Sequence, residues 1–280
     1  MSYVTRFAPS PTGPLHLGHA YSAILAHDKA RAANGRFLLR FEDTDLERSK
    51  PEYVAQTIDD LTWLGLTWDE EPLFQSEHLT VYNQYLEDLN SLGLTYPCKC
   101  SRKDIAAAVA APQEGVPHHL YPQTCKSRAL TERGPKDALR LHMDRACDAI
   151  EGQNLWFDEL GPSHKGRYSL DRTSLLRDVG DIVVGRKDID TAAYFMASAI
   201  DDVRQGITDV VRGEDLFEFT QVQVLLLHLL GFQAPKYDHH TLIRDENGKR
   251  LAKRDDARAL SKFRAEGASP NDIRQLVGLS

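Results

Sequence analysis

The chain has 280 residues, of which 41% are hydrophobic and 27% are charged, a composition typical of a globular protein with a sizeable core. It contains no apolar run approaching the ~20 residues that cross a bilayer, and its N-terminus lacks the basic and apolar segments of a signal peptide. A formal net charge of −7 excludes attachment to nucleic acid by bulk charge alone. With only four cysteines, these features predict a cytoplasmic protein without a membrane partner, and the lack of an apolar interface stripe favours a monomer.

Patterns near the N-terminus predict the opening of a parallel α/β sheet. Val4–Phe7 is predicted as a strand, the proline-rich segment 8–14 as a loop, and residues 15–33 as a helix that ends at Asn34-Gly35. Arg36–Phe41 is predicted as a second strand. Strand, loop, helix and strand in this order are typical of a parallel sheet.

Further elements follow along the chain. Ser49–Glu52 has the pattern of a capping box with proline at the first helical position, and it predicts a helix that ends at Gly65. Residues 79–92 carry apolar side chains at helical spacing. Residues 209–211 predict a short strand, and residues 221–230 predict a strongly apolar helix.

The middle of the chain differs in composition from the rest. Residues 95–170 contain all four cysteines and a proline-rich segment, which indicates an insertion into the α/β domain. We therefore expect the first half of that domain at 1–94 and an inserted subdomain at 95–180. The second half is expected at 181–242, with a helical C-terminal segment at 243–280.

Two histidines and a glycine open the first predicted helix, in the tetrapeptide His16-Leu17-Gly18-His19. A helix N-terminus presents unpaired N–H groups and the positive end of the helix dipole, so it favours phosphate. Imidazole N–H groups of His16 and His19 can donate to phosphate oxygens, and Gly18 leaves room for a flat ligand. The tetrapeptide alone is better explained by surface or capping histidines, but the preceding proline-rich loop favours a phosphate site.

A second motif, at residues 248–255, is strongly basic. Residues 244–264 contain eight Lys or Arg but only four Asp or Glu. Such a segment is either a solvated charged loop or a cationic loop that closes over a polyphosphate.

Together the two motifs give the chain a resemblance to the class I aminoacyl-tRNA synthetases. His16–His19 resembles the HIGH signature of that family, and Arg250–Arg254 resembles its KMSKS signature. Three further stretches resemble the glutamyl branch: Arg6–Gly13, Phe41–Asp45 and Arg212–Leu216. The resemblance covers about residues 3–260. It implies a Rossmann-like parallel sheet, an inserted zinc-containing subdomain and a short C-terminal helical segment.

Chain length distinguishes members of this branch. Only 26 residues follow Arg254, whereas a full glutamyl-tRNA synthetase continues into an anticodon-binding domain. The chain therefore resembles the truncated glutamyl-Q tRNA(Asp) synthetase family, which activates L-glutamate with ATP without needing tRNA. That family then esterifies glutamate onto the cyclopentene-diol of queuosine in the anticodon of tRNA(Asp). Another acceptor, the tRNA 3′ end, and a catalytically inactive binding module are alternatives.

The resemblance also implies the residues of an ATP site. The residues implied to bind ATP are His16, Gly18, His19, Arg250 and Lys253. Of these, His16, His19 and Lys253 would act in catalysis, with Mg²⁺ accompanying the pyrophosphate. The KMSKS-like stretch departs from the family pattern at Arg250, which keeps the charge of a lysine, and at Ala252, which removes a hydroxyl.

Glutamate carries two carboxylates and one ammonium, so a selective pocket needs about two cations and one anion. Arg6 and Arg212, at the ends of predicted strands, can each hold a carboxylate. Glu42 can hold the ammonium. The resemblance adds Ala8, Ser10 and Tyr194, although Tyr194 alone is better explained as a core residue. Neither the pairing of arginines with carboxylates nor the general base of the transfer step follows from the sequence.

Three cysteines offer thiolates for a structural metal site: Cys98, Cys100 and Cys125. Zinc usually takes four ligands. The resembling family has C-x-C followed by Y-x3-C, which implies Tyr121 as the fourth ligand, whereas chemistry alone favours His118 or His119. The alternative is three buried cysteines without a metal.

Overall fold

A computed structural model describes residues 2–101, 103–105, 120–187, 191–243 and 258–279. Its strands are β1 (Val4–Phe7), β2 (Arg36–Phe41), β3 (Leu73–Phe74), β4 (Thr95–Cys98), β5 (Ala138–Leu141), β6 (Trp156–Glu159), β7 (Gly166–Ser169), β8 (Val183–Gly185), β9 (Asp209–Gly213) and β10 (Lys236–His240). Its helices are α1 (Leu17–Ala32), α2 (Pro51–Trp63), α3 (Leu79–Ser91), α4 (Met143–Ala149), α5 (Arg172–Ser174), α6 (Tyr194–Arg204), α7 (Thr220–Leu229), α8 (Leu260–Ala265) and α9 (Pro270–Leu276). Within the described residues, none of these helices has the length and hydropathy needed to cross a bilayer.

The centre of the fold is parallel, as the sequence predicts. Strands β1, β2 and β3 pair in parallel, and β9, β10 and β6 do the same. The two sheets join where β1 lies beside β9. At this junction the N–H of Thr208, the residue before β9, donates to the carbonyl of Val4 in β1 at 2.9 Å. The combined strand order is therefore β3-β2-β1-β9-β10. The chain adds strands outward from β1 on one side of the junction and outward from β9 on the other. Open parallel sheets bind ligands at the carboxyl ends of strands beside such a junction.

Apolar side chains cover both faces of this sheet, as parallel sheets require. On one face α1, α2, α8 and α9 pack on the sheet around Ile24, Phe37 and Leu61. On the other face α7 packs against the sheet through Val224, which lies with Leu38 and Val210.

The start of α1 differs in detail from the expectation. The helix begins at Leu17 rather than at residue 15, and His16 is its N-cap. A reciprocal capping box is formed here, by the side chains of His16 and His19. The capping box expected at Ser49–Glu52 is absent, because Lys50 is the N-cap of α2 and makes no side-chain cap. Pro51 does occupy the first helical position, where its missing N–H costs nothing.

The expected insert at 95–180 is only partly separate from the parallel sheet. Strands β4, β5 and β8 form an antiparallel sheet of their own. Strand β6, however, pairs in parallel with β10, and β7 pairs with β6. Residues 156–169 therefore extend the main sheet, which composition alone could not reveal, because the partner β10 lies about 80 residues later.

Candidate active site

A cavity of about 430 Å³ lies at the carboxyl ends of β1 and β9. All six residues expected to bind glutamate line it, together with one histidine of the first motif: Arg6, Ala8, Ser10, His19, Glu42, Tyr194 and Arg212. Chain segments about 200 residues apart meet here because β1 and β9 are neighbours. His16 does not line this cavity, but its ring lies against that of His19, with 3.8 Å between centroids.

Arg6 and Glu42 belong to a buried chain of alternating charges. Arg6 Nε lies 2.8 Å from Asp202 Oδ1. Arg40 Nη1 lies 2.7 Å from the same oxygen, and its Nη2 lies 3.3 Å from Glu42 Oε1. All four side chains are at most 6% exposed. Two cations and two anions therefore balance one another along this side of the cavity.

The environment shifts the two carboxyl groups of this chain in opposite directions. Burial raises the pKa of Glu42 above its ordinary value, and the opposing attraction of Arg40 and Arg6 does not offset it. Burial also acts on Asp202, but the guanidinium groups of Arg6 and Arg40 outweigh it and hold its pKa below the ordinary value. Asp202 is therefore firmly ionised, whereas Glu42 gains from a cation placed in the cavity.

Arg212, on the opposite wall, is buried among neutral partners. It donates from Nε to His239 Nε2 at 2.9 Å, from Nη1 to Gln223 Oε1 at 2.6 Å, and from Nη2 to Thr220 Oγ1 at 3.0 Å. Within the described parts of the chain, no carboxylate lies within ion-pair distance of it. Since arginine keeps its charge in proteins, this wall carries a cation that no carboxylate contacts directly.

The two histidines of the first motif have defined tautomers. The Gly18 N–H donates to His16 Nδ1 at 3.1 Å, and the His16 N–H donates to His19 Nδ1 at 3.2 Å. An imidazole that accepts at Nδ1 carries its proton on Nε2. Both rings therefore direct an Nε2–H donor away from the helix backbone, as phosphate binding requires.

Gly18 has a second role that the sequence did not indicate. A Cβ atom added there would lie 3.0 Å from His16 Cε1, tighter than ordinary contacts. The glycine therefore makes room for the capping histidine itself.

The basic motif at residues 248–255, with Arg250 and Lys253, lies outside the described residues. The chain that follows is anchored at the first motif. The Leu260 N–H donates to the Leu15 carbonyl at 2.8 Å, and Ala259 pairs with His16 in a β-bridge. The segment after the basic motif thus lies directly beside the capping histidine of α1.

The three expected metal-binding cysteines come together. The sulfur atoms of Cys98, Cys100 and Cys125 all lie within 4.8 Å of one another. Tyr121 Oη lies 3.3 Å from Cys98 Sγ and 3.6 Å from Cys100 Sγ. Zn–S bonds of ~2.3 Å in a tetrahedron separate sulfurs by roughly 3.8 Å, so the donor set fits zinc. The alternative ligands His118 and His119 lie outside the described residues.

Thiol acidity in this cluster is uneven. Burial raises the pKa of Cys100 to about 11. Burial also acts on Cys125, but hydrogen bonds from Tyr121 and the Lys99 backbone outweigh it and lower the pKa of this thiol to about 7. Cys147, by contrast, is buried in the apolar core and forms no disulfide.

Several residues that build the site escaped the sequence analysis. They are Ser22, Arg40, Glu159, Asp202, Gln223 and His239. One of them could have been noticed, because Arg40 interrupts the apolar run of β2. The others act only through contacts between distant segments.

Comparisons with known proteins identify the family of the chain. Residues 2–279 match the family model described as "tRNA synthetases class I (E and Q), catalytic domain". The chain therefore belongs to the class I tRNA synthetases of the glutamate and glutamine branch, and it is a ligase of that class.

Two relatives show which family of this class the chain belongs to. The chain is 54% identical to the glutamyl-Q tRNA(Asp) synthetase of Rhodobacter capsulatus, over 99% of this chain and 100% of the relative. It is 41% identical to the enzyme of the same name from Deinococcus radiodurans, over 98% of this chain and 87% of the relative. Within its class, the chain thus belongs to the glutamyl-Q tRNA(Asp) synthetases.

A solved structure supports the fold. The chain matches a glutamate tRNA ligase from Elizabethkingia meningosepticum, crystallised with its amino acid, at a TM-score of 0.77 and 26% identity. The match covers 99% of this chain but only 60% of the ligase.

Proposed function

We propose that this protein activates L-glutamate with ATP, without needing tRNA, and transfers it to the cyclopentene-diol of queuosine in the anticodon of tRNA(Asp). The observation that carries the proposal is the charge arrangement of the cavity between β1 and β9. The charges of the Arg6–Asp202–Arg40–Glu42 chain balance one another, whereas Arg212 faces the cavity without a carboxylate in direct contact. Glutamate has a net charge of about −1 at neutral pH, which complements it, whereas glutamine is neutral.

Individual roles follow from this complementarity. The guanidinium of Arg212 holds one carboxylate of glutamate, and Glu42 accepts the substrate ammonium, which relieves the cost of its burial. Arg6, held by Asp202, presents its remaining N–H groups to the second carboxylate. Ser10 and Tyr194 complete the lining, and Ala8 keeps the backbone close to the substrate.

In the first step, an oxygen of the α-carboxylate attacks the α-phosphorus of ATP. A P–O bond to the carboxylate forms and the bond to pyrophosphate breaks, which gives glutamyl-adenylate. Catalysis of this kind consists of positioning and charge stabilisation. The Nε2–H groups of His16 and His19 hold phosphate oxygens. By the resemblance of their motif to KMSKS, Arg250 and Lys253 neutralise charge that develops on the phosphates. A Mg²⁺ ion bound with ATP would supply further charge stabilisation to the pyrophosphate.

In the second step, a hydroxyl of queuosine attacks the carbonyl carbon of the adenylate. An ester bond forms, AMP leaves, and the hydroxyl proton is released. Glu42 is occupied by the substrate ammonium, so it does not accept that proton.

The cysteine cluster has a structural role in this proposal. Cys98, Cys100, Tyr121 and Cys125 would hold one Zn²⁺, and four protein ligands would leave no open position for catalysis. Cytoplasmic location and a monomeric state stay predictions.

The deciding experiment is transfer of labelled glutamate to two pools of bulk tRNA, one from queuosine-containing cells and one from queuosine-deficient cells. Label in the first pool alone supports the proposal. Equal label in both pools would indicate charging of the 3′ end, and label in neither, despite glutamate-dependent pyrophosphate exchange, would indicate another acceptor. The Arg212→Gln variant is the matched control, and we expect it to label neither pool.

A further inference from the structure

Every hydrogen-bond acceptor that contacts Arg212 directly is an uncharged group, in the part of the chain that the structure describes. Its three donor nitrogens contact an imidazole, an amide and a hydroxyl, and a backbone carbonyl, that of Leu216, lies 3.4 Å from Nη2. Arg6 on the opposite wall is instead paired with a carboxylate. The fold thus orients the Arg212 guanidinium without a carboxylate in direct contact with it.

The imidazole in this shell is that of His239, and its protonation follows from its neighbours. Arg212 Nε can only donate, so His239 Nε2 accepts and carries no proton. The other ring nitrogen, Nδ1, lies 2.5 Å from Glu159 Oε2 and therefore donates to that carboxylate. His239 is thus a neutral Nδ1–H tautomer between a carboxylate and a guanidinium.

Glu159 is fixed by the backbone on its other side. Its Oε1 accepts from the N–H of His239 at 2.9 Å and from the N–H of Gly161 at 2.7 Å. Both side chains are fully buried. A Cβ at Gly161 would lie 2.1 Å from the His239 carbonyl, so only glycine permits this approach. Pairing of β6 with β10 therefore builds the Glu159–His239 pair into the sheet.

We propose that His239, held by Glu159, is a positioning residue that sets glutamate selectivity by acting through Arg212. A carboxylate in place of the imidazole would neutralise the guanidinium, and an apolar side chain would leave Nε unpaired in a buried site. The neutral imidazole avoids both. This inference rests on the proposed function, because it takes the substrate carboxylate as the partner of Arg212.

Kinetics of three variants test the proposal, with glutamate-dependent exchange of pyrophosphate into ATP as the assay. His239→Leu removes the acceptor, and we expect the KM for glutamate to rise about 10- to 100-fold, with kcat and the KM for ATP within about threefold of the unaltered enzyme. His239→Gln restores an acceptor oxygen and recovers most of the affinity.

Glu159→Gln is the isosteric variant. Glutamine has only one acceptor oxygen for three N–H groups, and an amide NH₂ opposite Nδ1 reverses the tautomer of His239. The proton then lies on Nε2, facing the Arg212 donor. We expect the same rise in KM for glutamate as for His239→Leu, at little change in volume. Equal losses in kcat and in the KM for both substrates, or no change in any variant, would overturn the positioning role.

A spectroscopic measurement separates this inference from the proposed function. ¹⁵N NMR of the histidine-labelled protein should show His239 as the neutral Nδ1–H tautomer at neutral pH. An Nε2–H tautomer or a cation would overturn the inference even in an active enzyme. If the unaltered enzyme shows no glutamate-dependent exchange of pyrophosphate into ATP, the proposed function is wrong. Glutamate is then not the ligand of Arg212.

Discussion

Arg40 Nη1 lies 2.7 Å from Asp202 Oδ1, and neither side chain is more than 5% exposed. This pair connects β2 to α6 beneath the substrate cavity. Asp202 also forms an ion pair with Arg6, and Arg40 forms one with Glu42. The buried Arg40–Asp202 pair therefore supports one cavity residue on each side, Arg6 and Glu42. A buried ion pair is weak evidence for stability in itself, but the loss of one member leaves an unpaired charge.

The first prediction concerns that loss. Asp202→Asn removes one charge at constant volume and leaves the guanidinium groups of Arg6 and Arg40 without their shared counter-ion. We expect the free energy of unfolding in urea to fall by about 3–5 kcal/mol at neutral pH. Asp158→Asn is the control, because Asp158 pairs with Arg167 at the surface, and it should cost at most about 1 kcal/mol.

The sign of the pH dependence supports this test. The pKa of Asp202 is depressed in the folded state, so its contribution is present above the ordinary value of 3.8 and is lost as the pH falls through the lower folded value. In the Asp202→Asn variant, the free energy of unfolding should therefore fall less than in the unaltered protein as the pH is lowered through this range. Equal costs for Asp202→Asn and Asp158→Asn would contradict the prediction.

Glutamate binding should weaken in mild acid. Burial raises the pKa of Glu42 above 4.5, and only the ionised form attracts the substrate ammonium. We expect the KM for glutamate to rise as the pH falls from about 8 towards the raised pKa of Glu42, over a range that stays above the carboxyl pKa of free glutamate near ~4.3. In the Glu42→Gln variant, the KM for glutamate should be high and should not change with pH across this range. A flat profile in the unaltered enzyme would exclude the assigned role of Glu42.

Gly18→Ala should impair activation although the change adds one methyl group. The new Cβ would lie 3.0 Å from His16 Cε1, so the capping ring must move. We expect kcat for glutamate-dependent exchange to fall about tenfold or more, since small displacements of positioned groups carry large costs. Gly166→Ala is the control, because the nearest atom to its Cβ lies 3.8 Å away. A similar kcat for both variants would show that His16 has no role in the step.

The cysteine cluster should contain one zinc per chain. Metal analysis of the purified protein measures it, and we expect Cys125→Ala to lose the metal and to lower the midpoint of thermal unfolding. Cys147→Ala should retain it, because Cys147 lies in the apolar core. Tyr121→Phe keeps the ring but removes the oxygen, so weaker zinc retention in this variant would identify the phenol as the fourth ligand. Full retention would favour a histidine instead.

Sequence patterns were sufficient for what local chemistry determines. Strand β1 and the end of β2 follow from apolar runs and turn residues, and the six expected glutamate-binding residues line one cavity. The resemblance of the motifs, together with the rule that strand ends meet at one edge of a parallel sheet, predicted that these six residues lie together.

What the sequence could not reveal depends on pairing between distant segments. Nothing local indicates that β6 joins the main sheet beside β10, since short strands of either sheet have similar compositions. For the same reason Glu159 and His239 were missed, although the register of β10 places His239 opposite Arg212. Asp202 lies in α6, a helix that the sequence patterns did not predict.

The distance along the chain between Arg40 and its counter-ion also limits how the protein is made. Asp202 is 162 residues later, so the ribosome delivers it roughly 10–30 s after Arg40. Until then Arg6 and Arg40 lack the carboxylate that they share in the folded protein, and burying both beside Glu42 alone leaves an excess positive charge. The first strands must therefore stay open during synthesis, and final closure of the sheet waits for α6 and β9 to emerge.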